Sequence, residues 1–118
     1  MIYIDLDNSV VELGKSVTGI VRCQSGQSSQ KPLIVKVKWH TEGRGSKQKQ
    51  TVVTLDLGKL SAGSVIPFRC DLPYEAPVSF DGKLFRVIWF VKAEVRGLLM
   101  SGETQTVPIQ VIPRRKHL

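Results

Sequence analysis

Phe85-Arg86-Val87-Ile88-Trp89-Phe90-Val91-Lys92-Ala93-Glu94-Val95 is the stretch on which the fold turns. Phe85, Val87, Trp89, Val91, Ala93 and Val95 alternate without a break with Arg86, Ile88, Phe90, Lys92 and Glu94. A period of two puts one set on each face of a strand, whereas an amphipathic helix repeats at three and four residues. The first set is wholly apolar and reads as the buried face, with Trp89 its largest member. The second mixes charge with Ile88 and Phe90. The strand is expected to run from Lys83 to Arg96, the longest in the chain.

The same alternation recurs on either side. Leu33, Val35, Val37 and Trp39 face inward between Ile34, Lys36, Lys38 and His40. Val53, Leu55 and Leu57 alternate with Val52, Thr54 and Asp56. Ile66, Phe68, Cys70 and Leu72 form an inward set with Arg69 and Asp71 outside, and Val107, Ile109 and Val111 form the last. Turn-rich pieces separate them, at 25–29, 42–46, 61–64, 79–82 and 101–102. No window carries helical spacing, and Val, Ile and Thr outnumber Ala, which favours strands. Seven or eight strands at such intervals predict an all-β fold, an antiparallel immunoglobulin-like sandwich. One domain is expected over residues 1–113, with a basic tail at 114–118. Pro67 and Pro108 fall inside strand-like runs and cannot donate to a ladder. Either their strands lie at sheet edges or carry bulges, or each proline ends its strand.

A chain of 118 residues, 42% hydrophobic and 23% charged, can bury a core and is not disordered. No apolar run reaches the roughly 20 residues of a membrane span. The N-terminus meets acid at Asp5 and Asp7 without a positive leader, so no signal peptide is expected. Lys and Arg total 17 against 10 Asp and Glu, a formal net charge of +7. Such a balance suits an anionic partner, or simply a solvated surface, and its only clusters are at 44–49 and 114–116.

Chemistry is hard to place. Cys23, Trp39 and Cys70 imitate the order of an antibody-type domain, but two further strands follow Cys70 where such a domain has one. Without a secretory signal, both cysteines are expected as free thiols acting as small core residues. No Cys-x-x-Cys pair accompanies the two histidines, so no metal site is expected. Asp5-Leu6-Asp7-Asn8-Ser9 opens like a calcium loop, but Val10 and Ser16 stand where glycine and glutamate are required. His40 lies among lysines on an outward face and His117 in the tail. No nucleophile elbow or phosphate-binding loop is present. The expectation is a protein that is not an enzyme and takes no cofactor. Nucleic acid is disfavoured as a partner, because Trp39, Trp89, Phe68 and Phe85 all read as core, leaving few aromatics to stack on bases.

The run from Leu72-Pro73 through Pro77, Ser79-Phe80-Asp81-Gly82 and on to Trp89-Phe90-Val91-Lys92-Ala93-Glu94-Val95 resembles the arrestin-like domains, especially the arrestin-domain-containing (α-arrestin) branch. There a Leu-Pro pair and a Ser-Phe/Tyr-x-Gly turn lead into a strand ending Trp-x-Val-Lys-Ala-x-Val. Gly14-Lys15-Ser16-Val17-Thr18-Gly19-Ile20-Val21 is similar to that family's early Gly-x-x-Val-x-Gly-x-Val turn and strand. The resemblance covers residues 9–113. It implies an arrestin-like sandwich, a cytoplasmic location and an adaptor or scaffold mode of action through a protein partner. It does not imply receptor trafficking, which needs two tandem sandwiches, nor ligase recruitment, for which the Pro-Pro-x-Tyr segments are missing. Retromer's cargo-recognition subunit and bacterial sporulation-control proteins are similar at fold level, so fold alone fixes little. Asp81-Gly82 is expected as a tight turn with Gly82 at positive φ.

A strand apolar on both faces is either covered on both or left with an exposed patch. Arg86, Ile88, Phe90 and Lys92 make up the second face of the long strand. Lys36 and Lys38, beside His40, would extend it if their strand joins the same sheet. These six residues, Lys36, Lys38, Arg86, Ile88, Phe90 and Lys92, are the candidate binding face for a protein partner or a second copy of the chain. A basic surface for nucleic acid or another anion is the alternative. A loop or bent edge strand folding over Ile88 and Phe90 would remove the face altogether.

Overall fold

The structure, a computed structural model, describes residues 2–23, 32–45, 47–59, 63, 65–95 and 103–114. Among these residues nine strands form: β1 (Ile2–Leu6), β2 (Val10–Glu12), β3 (Ser16–Cys23), β4 (Pro32–Gly43), β5 (Lys49–Lys59), β6 (Val65–Asp71), β7 (Phe80–Asp81), β8 (Phe85–Val95) and β9 (Glu103–Ile112). The two shortest, β2 and β7, have three and two residues, too few to leave an alternating signature. The strand expected to be longest is β8, but at 11 residues it is shorter than β4 with 12, because Lys83 and Leu84 belong to the turn before it.

Two sheets pack face to face as a sandwich. The smaller has the order β1-β3-β6. The larger has the order β2-β9-β8-β4-β5, with β7 pairing β8. Every pairing is antiparallel but one, β2 beside the end of β9. The chain leaves the small sheet after β1 and lays β2 along residues 110–112 before returning as β3. Hydrogen bonds from Gln110 N to Ser9 O and from Leu13 N to Ile112 O fasten that crossing.

The inward sets fill the space between the sheets. Leu33, Val35, Val37, Cys70, Trp89, Val91 and Ala93 have no exposed surface, and Trp39 and Phe68 are buried beside them. Trp89 also satisfies its one polar atom, since its Nε1 donates to Pro77 O at 2.9 Å. Pro77 therefore holds the 72–79 connection against the core. Val53, Leu55 and Leu57 face inward but are only half-buried, because β5 ends its sheet. A register shift in the β4–β5 pairing, which sets Val37 opposite Val53 and Lys38 opposite Thr51, leaves Val52 as a bulge.

Both prolines lie within strands. Pro67 sits on β6, an edge of the small sheet, opposite Ile20 of β3. Pro108 sits on the part of β9 that β2 does not reach, so its missing donor costs no ladder bond.

Two expectations fail. Phe85 is 45% exposed rather than core, because β8 starts beyond the sandwich's end. It packs instead on Phe80 of β7, ring centroids 5.0 Å apart. Gly82 is not among the glycines at positive φ, which are Gly14, Gly43, Gly45, Gly58 and Gly63. Its lack of a side chain serves space: a Cβ there would drive into the Phe80 ring. The thiol of Cys70 is free and buried, while the side chain of Cys23 lies outside the described residues. The turns at 25–29 and 101–102 lie outside them too, as does 61–64 apart from Gly63.

Candidate functional site: the open face of the larger sheet

Register decides whether the candidate residues meet, and it brings all six together. Across β4 and β8, Lys36 stands opposite Lys92, Lys38 opposite Phe90, His40 opposite Ile88, and Glu42 opposite Arg86. All belong to the face turned away from the core, since Val37, Trp39, Val87, Trp89 and Val91 occupy the other. β5 widens the face with Thr54 beside Lys36, Thr51 beside Lys38 and Lys49 beside His40. On the far side β9 adds Thr106 beside Lys92 and Pro108 beside Phe90.

Among the described residues no third layer lies over this face. Ile88 and Phe90 are half-buried by their neighbours alone. The His40 ring meets Phe90 edge-on at 5.5 Å between centroids. The covering loop considered from the sequence is thus not found among the described residues.

The charges on the face are ordered. Glu94 accepts Lys36 at 2.9 Å and lies 3.6 Å from Lys92. The hydrogen bond from Lys36 holds the Glu94 carboxyl below the usual carboxylate range. At the opposite end Glu42 pairs with His40 at 3.1 Å and Arg86 at 3.8 Å, and Asp81 takes Arg86 at 3.1 Å. The acids stand at the two ends. Between them Lys38 makes no ion pair among the described residues. Burial lowers its ammonium pKa, and Lys92, Lys36 and Lys49 push it the same way, outweighing Glu94. The centre of the face is therefore a cation without an ion-pair partner, opposite Phe90 in register and with other lysines around it.

Sequence reading missed Glu42 and Glu94, which neutralise the rims, and Lys49. Only the cross-strand register exposes those pairings. The basic hairpin partly joins the site: Lys47 and Lys49, with His40, Thr41, Glu42, Gly43 and Gln48, line a groove of about 570 Å³ at the β4–β5 tip. Arg44 donates its backbone N–H to Leu84 O. At the other cluster, the Arg114 guanidinium lies 5.0 Å above the Tyr74 ring, and 115–118 lie outside the described residues. No three His, Cys, Asp or Glu side chains among the described residues are grouped to hold a metal. No described helix is long and apolar enough to cross a membrane.

No family model matches the chain, and no curated protein matches it. Among solved structures it is similar to the sporulation control protein Spo0M from Bacillus subtilis, with a TM-score of 0.72 at 17% sequence identity. The match covers 93% of this chain and 48% of that one, so the chain spans about half the length of its structural neighbour. At that identity the likeness speaks for the fold, a two-sheet arrestin-like β-sandwich.

Proposed function

We propose that the domain is a non-catalytic regulatory scaffold of arrestin-like type, working in the cytoplasm, whose open sheet face docks a protein segment carrying both acidic and apolar side chains. The observation that carries this reading is the centre of the face, where the unpaired Lys38 adjoins the uncovered Phe90 and Ile88. Exposed apolar area rimmed by charge is typical of interaction surfaces. The four lysines ask for negative charge in the occupant, and the apolar pair asks for more than charge. The resemblance to arrestin-like domains and a structural neighbour named as a control protein support the same mode. The lysine cluster alone also supports a second reading, a nucleic acid or another anion as ligand.

Nuclear magnetic resonance titration separates the two. The probes are a peptide alternating glutamate with leucine and phenylalanine, a poly-glutamate of equal charge, and a single-stranded oligonucleotide. The mixed peptide should bind tightest and shift Lys36, Lys38, Ile88, Phe90 and Lys92. Ile88→Ser with Phe90→Ser should remove that binding without unfolding the domain. Tighter binding of the oligonucleotide would favour the second reading, and shifts confined to other residues would refute the face.

A further inference from the structure

The strand beside this face ends the sheet. Among the described residues nothing pairs with the outer edge of β5, although it runs for 11 residues. Its middle, Gln50-Thr51-Val52-Val53-Thr54-Leu55, carries no charge and no proline. Such a strand offers a row of free N–H and C=O groups to any chain that can match it. Proteins guard long edges with bulges and terminal charges, and β5 has both: the bulge at Val52, and Lys49 and Asp56 towards its ends. The question is which partner strand those features admit.

The bulge fixes the answer through parity. Residues directly opposite one another in an antiparallel pair share a face. In an unbroken strand paired with its own copy, opposed residues must therefore be an even number apart. The bulge reverses the alternation: Lys49 and Thr51 face outward before it, and Thr54 and Asp56 face outward after it. A two-fold pairing of β5 with a second β5 can then oppose Lys49 to Asp56, Gln50 to Leu55, Thr51 to Thr54 and Val52 to Val53. Each opposed pair outside the bulge shares a face, and the two bulges fall together at the axis. Neither Lys49 nor Asp56 makes an ion pair among the described residues. Asp56 Oδ1 accepts the Gly58 N–H at 2.8 Å, which leaves its second oxygen for a cation.

We infer that β5 is a homodimerisation edge, joining the larger sheets of two copies antiparallel about a two-fold axis between Val52 and Val53, with Lys49 of each copy paired to Asp56 of the other. The inference is independent of what the open face binds. Its consequence is that the two patches centred on Lys38 and Phe90 would lie on one continuous sheet, presenting the proposed docking site twice.

The test is charge exchange read by analytical ultracentrifugation across a concentration series. Wild type should form dimers. Lys49→Asp alone would set two carboxylates against each other at each end of the pairing, and Asp56→Lys alone would set two ammonium groups there, so each variant should be monomeric. Mixed in equal amounts, the two should form a heterodimer, and the double variant Lys49→Asp with Asp56→Lys should dimerise again. Both positions are exposed, so melting temperatures should hold within a few degrees, which separates lost pairing from lost folding. A wild-type monomer at millimolar concentration would overturn the inference. So would a dimer indifferent to both single changes, or single-variant monomers that neither mixing nor the double change restores. None of these outcomes depends on peptide binding, so failure here leaves the docking proposal to its own titration.

Discussion

Trp89 buries its whole side chain and still keeps its indole N–H paired, through Pro77 O. Trp89→Ala removes the largest fully buried side chain and leaves a cavity between two β-sheets that cannot easily collapse. The loss should be about 3–5 kcal/mol, read from the urea midpoint, a large share of the roughly 5–15 kcal/mol of a typical domain. Loss below about 1 kcal/mol would mean the faces of β8 are assigned backwards. Cys70 tests the same core by its chemistry. Burial, with Asp71 adding to it, pushes its thiol up to about 11. A folded pKa above that of an unfolded thiol means the native state keeps its proton longer. The Cys70 contribution to stability is thus full below the ordinary thiol value of 9.0 and lost as the pH rises towards 11. Native protein at pH 8 should leave Cys70 unalkylated, and Cys70→Ala should flatten the fall in stability between those two values. Rapid alkylation at pH 8 would contradict the burial. Trp89 and Cys70 are both legible as core from alternation alone. Phe85 is not, because alternation reports which way a side chain points but not where the second layer stops.

At the scale of elements, the glycines of the early motif show what sequence pattern can and cannot convey. Gly14 sits at φ +81°, where a Cβ would stand 2.7 Å from the Tyr74 ring. Gly19 lies in β3 opposite Leu6 of β1, and a Cβ there would collide with the backbone carbonyl of Asp5. The motif spacing thus records one turn and one close approach of strands, both structural needs. Backbone cannot step aside as a flexible side chain can. Gly19→Ala should therefore destabilise by about 1–3 kcal/mol and loosen β1, seen as faster amide exchange at Tyr3 and Asp5, which share the β3-facing side of the ladder with Asp7. An unchanged melt would mean the β1–β3 spacing is wider than described. The long strands declare themselves through a period of two repeated over many residues. β2 and β7 are too short for any period, and β2 owes its place to the tertiary hydrogen bonds that its flanking residues Ser9 and Leu13 make with Gln110 and Ile112 at the end of β9. The prolines point correctly to unpaired stretches of edge, since a missing N–H is a local fact with a local consequence.

For the whole molecule, the face has to be assembled from strands far apart in sequence. Its six members are legible as outward residues of two strands, but their meeting depends on β4 and β8 being neighbours. Glu94 is legible as an outward residue of β8, but its pairing with Lys36, like the place of Glu42, depends on register. That assembled pattern makes a prediction about Lys38. Its ammonium is partly desolvated and stands near three other lysines, and the lowered pKa records that its charge is unfavourable in the folded state. With a folded pKa below the unfolded one, this cost is present at neutral pH and is relieved as the pH rises towards the lysine range. Lys38→Met keeps the stem against Phe90 and removes the charge. It should stabilise the domain by a few tenths to about 1 kcal/mol, a gain expected where a site has been held for function against the interest of the fold. The same change should weaken the acidic–apolar peptide several-fold and reduce the salt dependence of what binding remains. Lys36→Met offers the contrast, because it breaks the 2.9 Å pair with Glu94 and should not stabilise. If Lys38→Met melts lower than wild type, its charge supports the fold through a contact this face does not show. If it melts higher and binds the peptide unchanged, the cation is a tolerated surface charge, and the docking surface must be sought away from Phe90.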